Sequence, residues 1–188
     1  MTTPQVPLFI PSQVCATVGK DPATPPDACM DLVRIDLRDD GVSAPATAAD
    51  SGLPAVVADA KQKGIDLKIV VLDQNPPIDT PLRDIATEVG QAYPGSTVLV
   101  LSPSFAGTYS ATFDRSTLEA GQDVAKVSGN PVAASQNFVT ELSTPHFPWT
   151  PFTIVLVAGV VVAAVATRIL QLRARKALAT EMPPALPK

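Results

Sequence analysis

The sequence feature that most constrains this chain is one long apolar run near its C-terminus. Residues 152–167 read FTIVLVAGVVVAAVAT without a charged side chain, and Ile169 and Leu170 follow Arg168. At ~1.5 Å rise per residue, a helix of roughly 20 residues crosses the ~30 Å hydrocarbon core of a bilayer. Residues 152–170 are therefore predicted to form a transmembrane helix. The alternative is a buried core helix of a soluble protein, which would need a larger surrounding domain than the rest of the chain provides.

The charged residues are divided unequally around this run. Residues 1–150 hold 9 basic and 17 acidic side chains, a net charge of -8, whereas residues 151–188 hold 5 basic and 1 acidic, a net charge of +4. The residues predicted to lie at the membrane interface are Trp149, Arg168, Arg173, Arg175 and Lys176. The positive-inside rule predicts a cytoplasmic C-terminus, with the N-terminal domain outside the cytoplasm and the chain anchored in the cell membrane.

The orientation of the predicted transmembrane helix has an alternative. The positive-inside rule is a bias, and the first 14 residues lack the basic n-region and the long apolar h-region of a signal peptide, so the reverse orientation stays open.

The charges of the chain indicate its partners. The basic cluster after the span is expected to contact anionic membrane lipid. The formal net charge of the chain is -4, which argues against nucleic acid as a partner.

The two cysteines, Cys15 and Cys29, are separated by 14 positions. Their pairing depends on the redox state of the compartment in which the N-terminal domain lies. In an oxidising compartment such a pair is usually bridged, and the loop it closes would contribute ~3 kcal/mol in the chain-entropy model. The alternative is two unrelated buried thiols. Two cysteines and one distant histidine do not make a zinc ligand set.

The residues before the span alternate between strand and helix patterns. Strands are predicted at 29–38, 65–72, 96–101 and 107–113, and helices at 51–63, 80–93, 114–127 and 131–142. A five-residue connection makes the last two strands an antiparallel hairpin. The order predicts an α/β fold with a small, mostly parallel four-stranded sheet sandwiched by helices, plus one C-terminal transmembrane helix.

The predicted domain organisation follows from these elements and from the distribution of proline. Its parts are a Pro-rich N-terminal arm (1–28), an α/β domain (29–142), a Pro-rich linker (143–151), the transmembrane helix (152–170) and a basic cytoplasmic tail (171–188). With 188 residues, the chain has room for one ordinary domain and these appendages.

The run GIDLKIVVLDQNPPIDTPLRDIATEVGQAYPGSTVLVLSPSFAGTYSATFD, residues 64–114, resembles the TPM-domain family. The resemblance extends in layout over residues 29–142, and the sequence is most similar to the mycobacterial single-pass membrane proteins with a divergent TPM-like domain. It implies a small α/β domain, often extracytoplasmic and tethered by a C-terminal helix. It also implies acid phosphatase activity in some relatives and divalent-cation binding in others. Here Tyr93-Pro94-Gly95 stands where the family has Trp-x-x-Gly, and Gly95-Ser96-Thr97 replaces an Asn-Gly-like strand entry.

Four aspartates at predicted strand ends and loops are candidate metal ligands: Asp36, Asp39, Asp73 and Asp114. Ligands of open α/β sheets bind outside the carboxyl ends of parallel strands, and carboxylates gathered there would hold Ca²⁺ or Mg²⁺ as the cofactor. The alternative is that each aspartate is an ordinary turn or helix-capping residue.

Motifs for catalysis are absent from the sequence: it contains no GxSxG, HExxH or P-loop, and its one histidine, His146, lies in the linker. The absence favours a non-enzymatic role, as a module for interaction or assembly with an envelope or membrane protein. Two alternatives stay open: a divalent-metal-dependent, phosphatase-like hydrolase of the same fold, and a purely structural envelope protein.

Overall fold

The computed structural model describes residues 8–49, 52–144 and 149–180, and the protein divides into two compact units, Met1–Thr144 and Pro145–Lys188. The elements of the first unit are α1 (Val14–Thr17), α2 (Pro26–Asp36), β1 (Val42–Ser43), α3 (Ala46–Ala49), α4 (Leu53–Gln62), β2 (Leu67–Val71), α5 (Thr80–Ala92), β3 (Thr97–Leu101), β4 (Ala106–Ser110), α6 (Arg115–Lys126) and α7 (Pro131–Ser143). The second unit contains the long helix α8 (Trp149–Thr180).

The sheet of the first unit has the strand order β1-β2-β3-β4. The first three strands are parallel and β4 is antiparallel to β3, with Ile69 opposite Leu99 and Leu99 opposite Thr108. The prediction of a small, mostly parallel four-stranded sheet is therefore confirmed.

Apolar side chains cover both faces of this sheet. Ile69 and Leu99 belong to a core cluster with α4, α6 and α7, whereas Val70, Val98 and Val100 belong to a second cluster with α1, α2 and α5. Because alternate residues of a strand point to opposite faces, a strand that is covered on both sides needs an unbroken apolar run. This explains the sequence TVLVL of β3, which is buried along its whole length.

The two connections between the parallel strands differ in hand. The polypeptide passes from β1 to β2 through α4 and from β2 to β3 through α5, moving in the same direction across the sheet, yet α4 and α5 lie on opposite faces. Such connections must have opposite hands, so one of them departs from the usual right-handed rule. As a consequence, the polypeptide leaves the carboxyl ends of β1 and β2 towards opposite faces, and a crevice can open between them.

The predicted strand at residues 29–38 is wrong, because Pro26–Asp36 forms helix α2. Val33, Ile35 and Leu37 alternate as in a strand, but Val33 and Leu37 also have helical spacing. Only that second pattern is buried: Val33 and Leu37 are inaccessible, whereas Ile35 is 56% exposed. Pro26 stands in the first turn, where proline favours a helix.

The first strand of the sheet is instead β1, which lies between the segment 29–38 and the predicted helix at 51–63. With two residues, Val42 and Ser43, it is too short to show any periodicity. The remaining strands and helices occur where they were predicted, with ends shifted by a few residues. Residue 51, the first residue of the predicted helix at 51–63, lies outside the described part of the protein.

The second unit is a single helix of 32 residues, about 48 Å long at 1.5 Å per residue. Its segment Phe152–Arg175 is long and apolar enough to cross a membrane, and it contains the predicted span at 152–170. The side chains of Arg168, Arg173 and Arg175 are exposed. The side chains of Trp149 and Lys176 lie outside the described residues.

Candidate functional site

A cleft of about 250 Å³ lies at the carboxyl edge of the parallel strands. It occupies the crevice between the connections that leave β1 and β2 towards opposite faces. The lining residues with chemical interest are Pro45, Asp73, Ser102, Phe105, Lys126 and Asn130. Its walls therefore combine apolar surface with a carboxylate, an ammonium group, a hydroxyl and an amide.

Three pieces of the polypeptide bring these groups together. Asp73 and Ser102 follow β2 and β3 directly, and parallel strands end at the same edge of a sheet. Lys126 ends α6, and Asn130 begins α7 after a tight turn. Gly129 in that turn has φ +59°, a left-handed conformation that favours glycine.

Asn130 fixes the start of α7 beside the cleft. Its side-chain oxygen accepts hydrogen bonds from the backbone N–H of Val132 at 2.9 Å and of Ala133 at 3.2 Å. Pro131 occupies the first turn, where its missing N–H is not needed. The cap holds the α6–α7 turn, and with it this wall of the cleft, in a defined position.

Ser102 is held by an amide rather than by a base. Its hydroxyl donates to Oδ1 of Asn75 at 2.8 Å, and the backbone N–H of Ser104 donates to the same oxygen at 2.9 Å. An amide oxygen does not take up a proton at neutral pH, so this contact does not activate the hydroxyl as a nucleophile. Its effect is structural, because it ties the β3–β4 turn to the segment that follows β2.

The N-terminal arm braces the opposite side of β2. The Thr17 hydroxyl in α1 donates to the carbonyl oxygen of Val71 at 3.0 Å in a buried position. Cys15 of α1 and Cys29 of α2 are joined by a disulfide, with their Cα atoms 5.0 Å apart. The cystine therefore fastens α1, and through Thr17 the last residue of β2, to the body of the domain.

The four candidate metal ligands do not meet. Asp73 lines the cleft, whereas Asp36 accepts a hydrogen bond at 3.1 Å from Ser43, the last residue of β1. Asp39 lies in the turn before β1, near Asp66 and the amino edge of the sheet. Asp114 follows β4, which runs antiparallel and therefore ends at that same amino edge. Within the described residues, no group of three or more His, Cys, Asp and Glu side chains is placed to hold a metal ion.

Asp114 caps α6. Its carboxylate accepts hydrogen bonds from the Ser116 hydroxyl at 2.6 Å and from the backbone N–H of Thr117 at 2.9 Å. These bonds, the Ser116 hydroxyl first, followed by the backbone and hydroxyl of Thr117, lower the pKa of Asp114, because they favour the charged form. The carboxylate thus acts as a helix-capping group, the role that aspartate commonly fills at such a position.

Sequence reasoning found Asp73 and missed most of the other groups of the cleft. Asn130 stands in the segment Gly129-Asn130-Pro131, whose sequence signals a helix break and a new helix start. That signal places the residue at a cap without revealing that the cap borders a cleft. His146, the one histidine of the sequence, lies outside the described residues.

Comparisons with known proteins link the protein to a membrane protein family. The family described as "Membrane protein Rv1476" matches residues 23–181, a range that includes both the α/β domain and α8. The sequence is 54% identical over 173 residues to the "Membrane protein Rv1476" of Mycobacterium tuberculosis (strain ATCC 25618 / H37Rv), and the match covers 92% of this chain and 87% of that protein.

Proposed function

Because the chain belongs to the family of Rv1476 membrane proteins, we propose that its TPM-like α/β domain lies outside the cytoplasm and binds a partner protein of the envelope or membrane. In this proposal α8 crosses the membrane once and anchors the domain. The observation that carries the proposal is the cleft at the carboxyl edge, where groups of both charges and apolar surface converge.

Two independent features support the extracytoplasmic side. Arg168, Arg173, Arg175 and Lys176 follow the apolar stretch, and the positive-inside rule assigns such a cluster to the cytoplasm. Cys15 and Cys29 form a buried disulfide, and structural disulfides persist mainly in oxidising compartments. The charge pattern and the disulfide depend on different residues and agree on the orientation.

The size and chemistry of the cleft favour recognition of a protein side chain. Sites for small molecules usually enclose about 300–1,000 Å³, and this cleft, at about 250 Å³, falls below that range. A cleft of this size suits one anchoring side chain of a partner, buried at the centre of a larger contact. Asp73 offers an acceptor beside the apolar Phe105. Lys126 offers donors there as well, although its Nζ also lies 3.5 Å from Oδ1 of Asp123.

Site-directed photo-crosslinking tests the binding surface. The full-length protein is expressed in its membrane with p-benzoylphenylalanine in place of Asp73, which is exposed and lines the cleft, or of Asp27, an exposed aspartate on α2. We expect a discrete crosslinked protein with the probe at residue 73 and none at residue 27. Charge reversal by Lys126→Glu should weaken that product several-fold. The same product from both positions, or none from position 73, would contradict binding at the cleft.

An enzymatic outcome would also overturn the proposal. The full-length protein in detergent is incubated with a generic phosphate ester and Ca²⁺ or Mg²⁺, beside an Asp73→Ala variant. We expect no metal-dependent turnover above the level of that variant. Turnover that requires the metal and disappears in Asp73→Ala would support the phosphatase-like hydrolase instead.

A further inference from the structure

A second concave surface lies along β4, the strand at the far edge of the sheet from β1. A groove of about 340 Å³ is bounded by α5 and α6, and Tyr109 and Phe113 form its aromatic part. A smaller recess of about 40 Å³ adjoins these helices. Arg83 of α5 and Gln122 of α6 line both spaces and so stand between them.

Two hydrogen-bond donors at this junction lack a partner within the described part of the protein. Gln122 is only 7% exposed, and its Oε1 accepts a hydrogen bond from the Thr108 hydroxyl at 3.2 Å. Its Nε2 donates to no protein group among the described residues, and the Arg83 guanidinium forms neither an ion pair nor a hydrogen bond there. No buried side-chain nitrogen or oxygen of the described residues lacks a hydrogen-bond partner, so this Nε2 reaches solvent in the groove. An acceptor bound there in place of water would take hydrogen bonds from both donors.

The charges around the recess favour some bound acceptors over others. Arg115, the other cation of the groove, is neutralised by Glu119, with its Nε 2.7 Å from Oε1, so among the described residues that line the groove Arg83 carries the free positive charge. Asp79 also lines the recess and would repel a strongly negative group. That repulsion is weaker for a singly charged carboxylate than for a phosphate with a charge of about -1.5 to -2.

The aromatic part of the groove is firmly placed. The Tyr109 ring packs on Gly90 of α5, where an added Cβ would lie 2.1 Å from the ring, so the close approach requires glycine. Phe113 packs against the core cluster that contains Leu118 of α6. Both rings are partly exposed, and together they offer an apolar surface beside the two free donors.

We propose that the groove between α5 and α6 binds an organic carboxylate. The carboxylate accepts hydrogen bonds from the Arg83 guanidinium and the Gln122 carboxamide, and the apolar body of the ligand packs against Tyr109 and Phe113. The planar guanidinium suits a carboxylate because it presents two parallel N–H donors. Two sources share this chemistry, the C-terminus of a polypeptide and a small organic acid.

Saturation-transfer NMR on the full-length protein in detergent micelles tests the proposal with defined probes. Benzoate represents a small acid, N-acetylphenylalanine represents a polypeptide C-terminus, and benzylamine and inorganic phosphate are the charge and shape controls. We expect saturation of the benzoate ring that phosphate does not displace, and no saturation of benzylamine above the signal from empty micelles. Tighter binding of N-acetylphenylalanine than of benzoate would identify a polypeptide terminus as the source, and the reverse order a small acid.

Matched variants assign the signal to the two donors. Arg83→Gln removes the charge from an exposed side chain, and Gln122→Glu keeps the acceptor for Thr108 while replacing the free donor with an oxygen. Each should weaken benzoate binding at least about tenfold, since hydrogen bonds to charged groups contribute ~1.5–3 kcal/mol. Arg38→Gln, at an exposed arginine away from the groove, should leave it unchanged. If benzoate does not bind, if phosphate displaces it, or if folded Arg83→Gln binds it normally, the proposal is wrong.

Discussion

Replacing Cys15 and Cys29 with serine is expected to lower the free energy of unfolding of the domain by about 3 kcal/mol. The disulfide closes a loop with a sequence separation of 14 and restricts the unfolded polypeptide. The arm that it fastens has little regular structure of its own, because its one helix in the described residues, α1, has four residues. Without the bridge, α1 would be held by the apolar packing of Val14, Ile10 and Val18 and by hydrogen bonds such as that of Thr17.

Thermal unfolding of the full-length protein in detergent, followed by circular dichroism, measures this effect. A loss of about 3 kcal/mol corresponds to a fall of roughly 10 °C in Tm for a domain of this size. Reductant should lower the Tm of the natural protein to that of the double serine variant and leave the variant unchanged. Equal Tm values for the natural protein and the variant under oxidising conditions would show that the bridge does not stabilise the domain.

Gly107→Ala is expected to destabilise the domain by about 3 kcal/mol, at the upper end of the usual cost of overpacking. A Cβ at this position in β4 would lie 2.5 Å from the carbonyl carbon of Leu82 and 2.6 Å from the backbone nitrogen of Arg83. These are main-chain atoms of α5, so the helix itself would have to move away from the sheet. Chemical denaturation of the full-length protein by urea, monitored by the same optical signal, measures the loss.

Gly121→Ala is the matched control for that substitution. A Cβ there would lie 2.7 Å from Cδ1 of Leu142 and 2.8 Å from Cδ2 of Phe138, which are side-chain atoms that can shift. Gly121 lies inside helix α6, where alanine is favoured over glycine by about 1 kcal/mol and offsets part of the crowding. We expect a clearly smaller loss than for Gly107→Ala. If both variants lose the same free energy of unfolding, the main chain of α5 does not confine β4 more tightly than the side chains of α7 confine α6.

Much of the fold could be predicted from the sequence because most elements have one clear periodicity. The short β-branched run TVLVL after Pro94-Gly95 favours a buried strand, and the segment Gly129-Asn130-Pro131 marks a helix boundary. The segment before β1 was ambiguous, because Val33 and Leu37 fit both a strand and a helix. Tertiary packing favours the helix there, because α2 buries Cys29 and Met30 and Cys29 forms the disulfide with Cys15 of α1.

The predicted strand at 29–38 also underlies part of the metal prediction. That strand would place Asp36 and Asp39 at a carboxyl end, where ligands bind, but Asp36 ends a helix and both residues precede β1. Asp73 follows β2, a strand that occurs where the sequence predicts it. The placement of the Arg83 and Gln122 donors in one groove could not be predicted, since it depends on three-dimensional neighbours that leave no sequence pattern.

The cleft, the disulfide and the proposed orientation are linked through β2. The disulfide holds α1, α1 binds the last carbonyl of β2 through Thr17, and β2 delivers Asp73 to the cleft. A domain on the cytoplasmic side would lose the bridge to reduction, and this wall of the cleft would lose its brace. The side of the membrane on which the domain lies is therefore the central claim.

Cysteine labelling in intact cells tests that claim most directly. Two variants of the full-length protein each carry one additional cysteine: Ser104→Cys on the exposed β3–β4 turn, and Ala177→Cys beyond the basic cluster. The orientation proposed here predicts that a membrane-impermeant maleimide labels residue 104 in intact cells and residue 177 only after the membrane is opened. Labelling of residue 177 in intact cells, with residue 104 protected until lysis, would place the domain in the cytoplasm and contradict the account.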